Sequence, residues 1–263
     1  MAAAEELPEL VVLRILKLLP FRDRLRAARL GSGRHLWGFA DLLPALPPFL
    51  SSLTTRCPHL HHLSLTEADL HPIPYPTLPP SLTSLELRCC EIPSIWFNGP
   101  AAPRLHRLKL YNIPAFTDSH LLNVSSHRNL KTLSLSGTYR VTDKGIERAA
   151  PYLESLEHLE LHHCTLSDSA LHSIARHMNQ LRILRVTSIP NLTDSGLASL
   201  ATLERIEKLH LDLYNEFSLC AVVTLCQGLP RLSSLTLDGV QPEDEALGGI
   251  KAGLSYCSFT APP

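Results

Sequence analysis

The sequence predicts an α/β solenoid: a horseshoe with short parallel strands along its concave side and helical or irregular segments on its convex side. Three observations carry that reading. An apolar pattern LxxLxL recurs at near-constant spacing, stretches of helical periodicity fall between the copies, and 44% of the 263 residues are hydrophobic, enough for a sizeable core.

Eight copies start at Leu60, Leu82, Leu105, Leu130, Leu156, Leu181, Ile206 and Leu232, at steps of 22, 23, 25, 26, 25, 25 and 26 residues. This is the leucine-rich repeat period. In each copy the last three residues alternate apolar and polar, as in Leu159, Glu160, Leu161, so each is one strand with a single buried face. A unit of this size cannot cover that face alone, and stacking is obligatory.

Taken along the chain, the first element is a helix opened by Pro8 and closed by Pro20, with apolar residues on more than one face; a second short helix runs from Phe21 to Arg29. The helices leave an apolar face that calls for a partner. The connectors LHPIPYPTLPPSL and CEIPSIWFNGPAAPRL are rich in proline and predict an irregular convex side there. Pro76 and Pro79 match a minimal PxxP, which reads as a solenoid turn, since PxxP ligands lie in free segments.

Later connectors are helical. In SDSALHSIARHM, Leu171, Ile174, Ala175 and Met178 share one side and the opening Ser-Asp caps the first turn; Thr117-Asp118, Thr142-Asp143 and Thr193-Asp194 open similarly. PEDEALGGIKAGL (242–254) predicts a short helix as end cap, and SFTAPP (258–263) a frayed tail. The expected domains are a shortened N-terminal helical segment (1–40), a repeat domain (50–255) and a C-terminal tail (256–263).

Charge excludes some functions. Twenty-four Lys and Arg against 25 Asp and Glu give a formal net charge of -1, which favours neither nucleic acid nor an anionic membrane. No basic segment precedes an apolar run at the N-terminus and no run reaches transmembrane length, so the mature chain is expected to begin near Met1. Seven scattered cysteines read as reduced thiols, which places the chain in the cytoplasm or nucleus. No G-x-S-x-G, HExxH or glycine-rich phosphate loop occurs, so no enzyme, cofactor or catalytic residue is expected. His162, His163 and Cys164 offer metal-type ligands, but adjacent positions match no ligand spacing, and strand alternation predicts that they diverge: His162 outward, Cys164 into the core. No metal site is expected.

Two resemblances follow from these residues. The pattern LxxLxLxxC resembles the cysteine-containing class of leucine-rich repeats, with Cys90 and Cys164 in its buried cysteine slot, Ile113, Thr138, Ile189, Tyr214 and Val240 in the same slot elsewhere, and Cys57 at another interior position. LPELVVLRILKLLPFRDRLRAARL resembles the first two helices of an F-box. The tandem resembles the F-box and leucine-rich repeat family. That resemblance implies a non-catalytic substrate receptor of an SCF-type ubiquitin ligase. Its F-box docks on the Skp adaptor (S-phase kinase-associated protein 1), which joins a cullin scaffold and RING subunit, while the repeats hold a protein substrate. On matching positions it implies adaptor contact or support by Leu7, Pro8, Ile15, Leu18, Leu19, Leu25 and Leu30. The chain departs from the family after Leu30: a third helix is largely missing, and only Leu36-Trp37 resembles the end of the motif. The competing reading is a leucine-rich scaffold that binds a protein directly, with the N-terminal helices as a cap.

In a horseshoe the outward strand residues are the default binding surface. Here they include Glu86, Arg88, Arg107, Lys109, Tyr111, His158, Glu160, His162, Arg185, Lys208, His210 and Asp212. Glu160 and Arg185 on adjacent strands are expected to neutralise each other, whereas Arg107 and Lys109 face Thr132 and Ser134 on the next strand. An acidic or phosphorylated patch on the target is therefore expected near Arg107, Lys109 and Tyr111.

Overall fold

The computed structural model describes residues 35–36, 57, 59–71, 74–99, 102–212, 217–239 and 258–260. Among them, ten strands pair in chain order into one parallel sheet. They are β1 (His35–Leu36), β2 (His62–Thr66), β3 (Ser84–Arg88), β4 (Arg107–Tyr111), β5 (Thr132–Ser136), β6 (His158–His162), β7 (Ile183–Thr187), β8 (Lys208–Asp212), β9 (Ser234–Asp238) and β10 (Ser258–Thr260). The repeats stay in register: Leu63, Leu85, Leu108, Leu133, Leu159, Leu184, Leu209 and Leu235 align across β2 to β9. These leucines are buried, as are the apolar residues two further on, so one face of β2 to β9 is core.

Seven of the ten strands end in the same way. Glu67, Cys89, Asn112, Gly137, His163, Ser188 and Gly239, the residues just after β2 to β7 and β9, all have positive φ, between 48° and 77°. The kink turns the chain out of the sheet, and the amides of Glu67, Cys89, Asn112, Gly137 and His163 each donate to the last carbonyl of the following strand. At Gly137 a Cβ would lie 2.2 Å from Asn112 Oδ1, so a side chain there would have to displace that carboxamide and hold a φ of 65°.

From the third repeat on, the convex side is helical: α1 (Asp118–Val124), α2 (Asp143–Ala149), α3 (Asp168–His177), α4 (Asp194–Ser199) and α5 (Leu219–Gly228). Helix α3 follows the sequence expectation, with Ser167 as N-cap and Leu171, Ile174, Ala175 and Met178 buried. The Asp of each Ser/Thr-Asp opening also reaches the next helix. Asp118 accepts from the backbone N–H (2.8 Å) and hydroxyl (2.7 Å) of Thr142, the cap of the next helix. Asp143 does the same to Ser167, Asp168 to Thr193, and Asp194 to Ser218. Every helix start from α1 to α5 is thus tied to its neighbour by a carboxylate holding two donors.

The proline-rich connectors carry no α-helix among their described residues; Tyr75–Thr77 is a single 3₁₀ turn. Aromatic rings fill the volume instead. Tyr75 packs on Trp96 and Phe97 at 5.1 Å between centroids, and Phe97 packs edge-on to Phe116 at 5.9 Å. His120 is fully buried: its Nε2 donates to Pro93 O (2.8 Å) and its Nδ1 accepts from the Thr117 N–H (3.2 Å). The Tyr75 hydroxyl bonds His127 Nε2 at 2.8 Å, reaching past the intervening repeat. Leu78 and Pro79 are buried, so the PxxP segment is part of the solenoid wall.

Three expectations are corrected. Ser258–Thr260, expected within a frayed tail, pairs in parallel with β9, because that edge offers a row of open N–H and C=O groups. His35–Leu36, assigned to the N-terminal helical segment, pairs with β2 and covers the opposite edge. Cys57 is only half-buried, at the margin of the core, whereas Cys90, Cys164, Ile113, Thr138 and Ile189 are fully buried as expected. Tyr214, Val240, the two N-terminal helices and the expected helix at 242–254 lie outside the described residues.

The inter-repeat carboxylates predict a graded loss. Asp168→Ala removes both bonds to Thr193 and is expected to cost about 1–3 kcal/mol, whereas Asp168→Asn, which keeps one acceptor oxygen, costs less. Urea unfolding of both variants checks the order.

Candidate functional site

The concave face is built from three outward rows. Strand β5 carries only Thr132, Ser134 and Ser136 outward. Strands on either side lie about 4.8 Å away and carry long side chains, so β5 is the floor of a trough about 10 Å wide between β4 and β6. Arg107, Lys109 and Tyr111 form one wall and His158, Glu160 and His162 the other, each in register with a hydroxyl residue of β5. The structure thus brings six of the sequence-selected residues together.

The basic wall is reinforced from behind. Arg88 on β3 places its guanidinium 4.0 Å from the centre of the Tyr111 ring and donates from Nε to Glu86 at 2.6 Å. Glu86 is also the register partner of Lys109, an acidic neighbour on the preceding strand that the comparison with Thr132 and Ser134 overlooked. Arg107 is exposed and stands between Ser84 and Thr132, with no acid in register on either side.

The other wall is held by burial and charge. Burial raises the Glu160 carboxyl, but the bond from the Ser134 hydroxyl and the nearby His158, Arg185 and Lys109 outweigh it and hold the group below the ordinary range. Arg185 pairs with Glu160 at 3.4 Å, as the adjacent strands predict. His158 is held below the ordinary histidine value by burial, with Lys109 and Arg107 reinforcing and Glu160 opposing. His162 is lowered by burial and by His163 and Arg185, and its Nδ1 lies 2.7 Å from Thr187 Oγ1.

Beyond this trough the remaining candidates separate. Lys208 is exposed at the start of β8, and His210 is bonded to Asp238 at 2.6 Å. Asp212 is buried and accepts from the amide and hydroxyl of Ser188; burial and Asp238 push its carboxyl up despite those bonds. The proposed adaptor residues Leu7, Pro8, Ile15, Leu18, Leu19, Leu25 and Leu30 lie outside the described residues.

The His-His-Cys cluster does not converge. Cys164 turns into the core, with Sγ 3.4 Å from His162 O and 3.6 Å from Thr138 Oγ1. The expected divergence fails in one respect: the His162 and His163 rings lie 4.0 Å apart, because the positive φ of His163 turns it back along the sheet edge. Among the described residues, the group with donor atoms close enough for a metal is Asp69, His71 and Glu91, within 4.8 Å of one another but all exposed, with His71 Nδ1 held by Asp69.

Sequence reading missed a charged row along the edge where the chain enters each strand. Lys131, Glu157, Arg182 and Glu207 follow the first apolar residue of four successive repeats and alternate in sign. Lys131 pairs with Glu157 at 2.8 Å, and Arg182 grips both oxygens of Glu207. Aligning the repeats at that position displays the alternation.

A parallel sheet exposed on one face and covered by helices or irregular segments on the other defines a leucine-rich repeat solenoid, with an exposed concave face suited to binding another protein. The likeness extends to known proteins. Residues 93–203 match the model of the leucine-rich repeats of FBD-associated F-box protein At5g56370. F-box/LRR-repeat protein 12 of Homo sapiens is 33% identical over 311 aligned residues, covering 98% of this chain and 95% of the relative; the Mus musculus protein matches equally well. The chain therefore belongs to the F-box/leucine-rich-repeat family. The alignment is longer than the chain's 263 residues, so the human relative carries segments that this chain lacks. In fold it is similar to yeast Rad7, solved in complex with Elc1 (TM-score 0.59, 19% identity, 81% of this chain and 59% of that one), and to an internalin of Listeria monocytogenes (TM-score 0.54, 22% identity, 80% and 56%). This chain spans less than two thirds of either solved chain.

The lowered histidines predict a pH dependence. Their folded values lie below the ordinary 6.5, so the unfolded chain binds protons more readily. The stability they contribute is complete above about pH 6.5 and is lost as pH falls through the lowered folded values. The thermal midpoint should drop between pH 7.5 and 5, and His158→Asn should flatten that drop; a differential scanning calorimetry series measures both.

Proposed function

We propose that this chain is the substrate-recognition subunit of an SCF-type ubiquitin ligase acting in the cytoplasm or nucleus. Its N-terminal segment would dock on the Skp adaptor, and through it on the cullin scaffold and RING subunit, while the trough over β5 holds the target. The observation that carries this reading is the near full-length identity to F-box/LRR-repeat protein 12. The chain would supply no covalent chemistry. Its contribution is proximity, which raises the local concentration of target lysines near a charged conjugating enzyme.

The trough favours a target segment with acidic or phosphorylated residues against Arg107 and Lys109, with Tyr111 as an aromatic contact. Expressing the Arg107→Glu/Lys109→Glu variant should leave undegraded those proteins whose levels the wild-type chain lowers. Quantitative proteomics reads this, and an unchanged set of depleted proteins rejects the basic wall as the contact.

One observation favours a second reading, a stand-alone repeat scaffold. Leu36, which resembles the end of the F-box motif, lies in a strand of the sheet, so the adaptor-binding segment is confined to the residues before it. Calorimetry of the purified chain with the Skp adaptor separates the two. Micromolar or tighter binding, abolished by Leu16→Asp/Leu19→Asp, is expected of a receptor; absence of binding by folded chain leaves the scaffold.

A further inference from the structure

We propose a second recognition site on the edge of the sheet at β6 to β9, outside the trough, that takes the phosphate of a phosphorylated serine or threonine side chain. A cleft of about 300 Å³ opens there, lined by Glu157, Gln180, Arg182, Arg205, Glu207 and Arg231. That the phosphate comes from a bound protein rests on the receptor reading above.

The lining falls into two rows. Glu157, Arg182 and Glu207 follow the first apolar residue of their repeats, and this row neutralises itself: Arg182 donates from Nε and Nη2 to Glu207 at 2.9 and 3.0 Å, and Lys131 holds Glu157. Gln180, Arg205 and Arg231 precede the first apolar residue of the sixth, seventh and eighth repeats, and this row holds no carboxylate. Arg205 and Arg231 thus occupy equivalent positions in neighbouring repeats, an arrangement of like charges that is unfavourable without an anion between them. Neither forms an ion pair among the described residues, and Glu207, on which the Arg231 charge acts, has its oxygens already held by Arg182.

The cleft therefore presents two planar guanidinium groups and a carboxamide donor with no acceptor of their own among the described residues. An oxyanion completes them, since the guanidinium fork matches phosphate and carboxylate geometry. The number of acceptors decides between the two: a phosphate monoester offers three acceptor oxygens, one for each guanidinium group and one for the carboxamide, where a carboxylate offers two.

The test titrates N-acetyl-O-phosphoserine amide and N-acetylglutamate amide separately into the full chain at low salt, followed by calorimetry. The phosphoserine probe should bind at least about tenfold more tightly than the glutamate probe. Arg205→Ala/Arg231→Ala should weaken it at least about tenfold with an unchanged thermal midpoint, since both side chains are exposed. Gln180→Glu, which deletes no contact surface but adds a carboxylate, should also weaken it, and the loss from the arginine pair should persist in an Arg107→Glu/Lys109→Glu background, where the trough offers no basic wall. Equal binding of the two probes, no binding of either, or an affinity unaffected by the arginine pair overturns the proposal. Because the probes are small molecules, failure of adaptor binding leaves this result untouched.

Discussion

The whole structure depends on the inability of one repeat to bury its own leucines. A five-residue strand with one apolar face gains its stability only when a neighbour covers that face, so the unit that folds is the stack. Backbone bonding between parallel strands fixes the 4.8 Å spacing, and two local devices keep successive units aligned. On the concave edge, a left-handed residue at the end of the strand donates its amide forward. On the convex side, an Asp at the first helical position holds the N–H and hydroxyl of the next cap. Both join a repeat to the one after it, and both recur where the sequence recurs.

That division explains what the concave face can do. Core positions are occupied by leucine and its equivalents with little variation, while outward positions range from Ser134 to Arg107 without disturbing register. Binding chemistry is therefore written on residues that contribute little to folding. The trough arises in this way: three hydroxyl residues on β5 sit between strands bearing cations, a tyrosine, histidines and a carboxylate.

The strands, their register and the helices opened by Thr117, Thr142, Ser167 and Thr193 were legible in the sequence because each rests on a local pattern. So was the pairing of Glu160 with Arg185, which needs only strand adjacency. Features that depend on comparing repeats were harder to read. The linkage from Asp118 to Thr142 joins residues 24 apart, and nothing within either motif marks it. Strands β1 and β10 carry only two and three residues, too few for alternation to register, and form because a sheet edge is available. The rings of His162 and His163 meet because of a backbone angle that the residue types do not announce.

The bond from Tyr75 to His127 has a consequence for how the stack comes apart. In a chain of units that touch only their neighbours, terminal units fray one at a time. Tyr75 lies in the first of the eight repeats, packs on the aromatic residues of the second and bonds to the third, so these three share one buried cluster, which stands in for separate helices in the first two. Losing the first would strip the hydroxyl from His127 and uncover Trp96 and Phe97 together. The N-terminal end of the described solenoid therefore opens as a block of three repeats, which places its unfolding threshold well above that of a single unit.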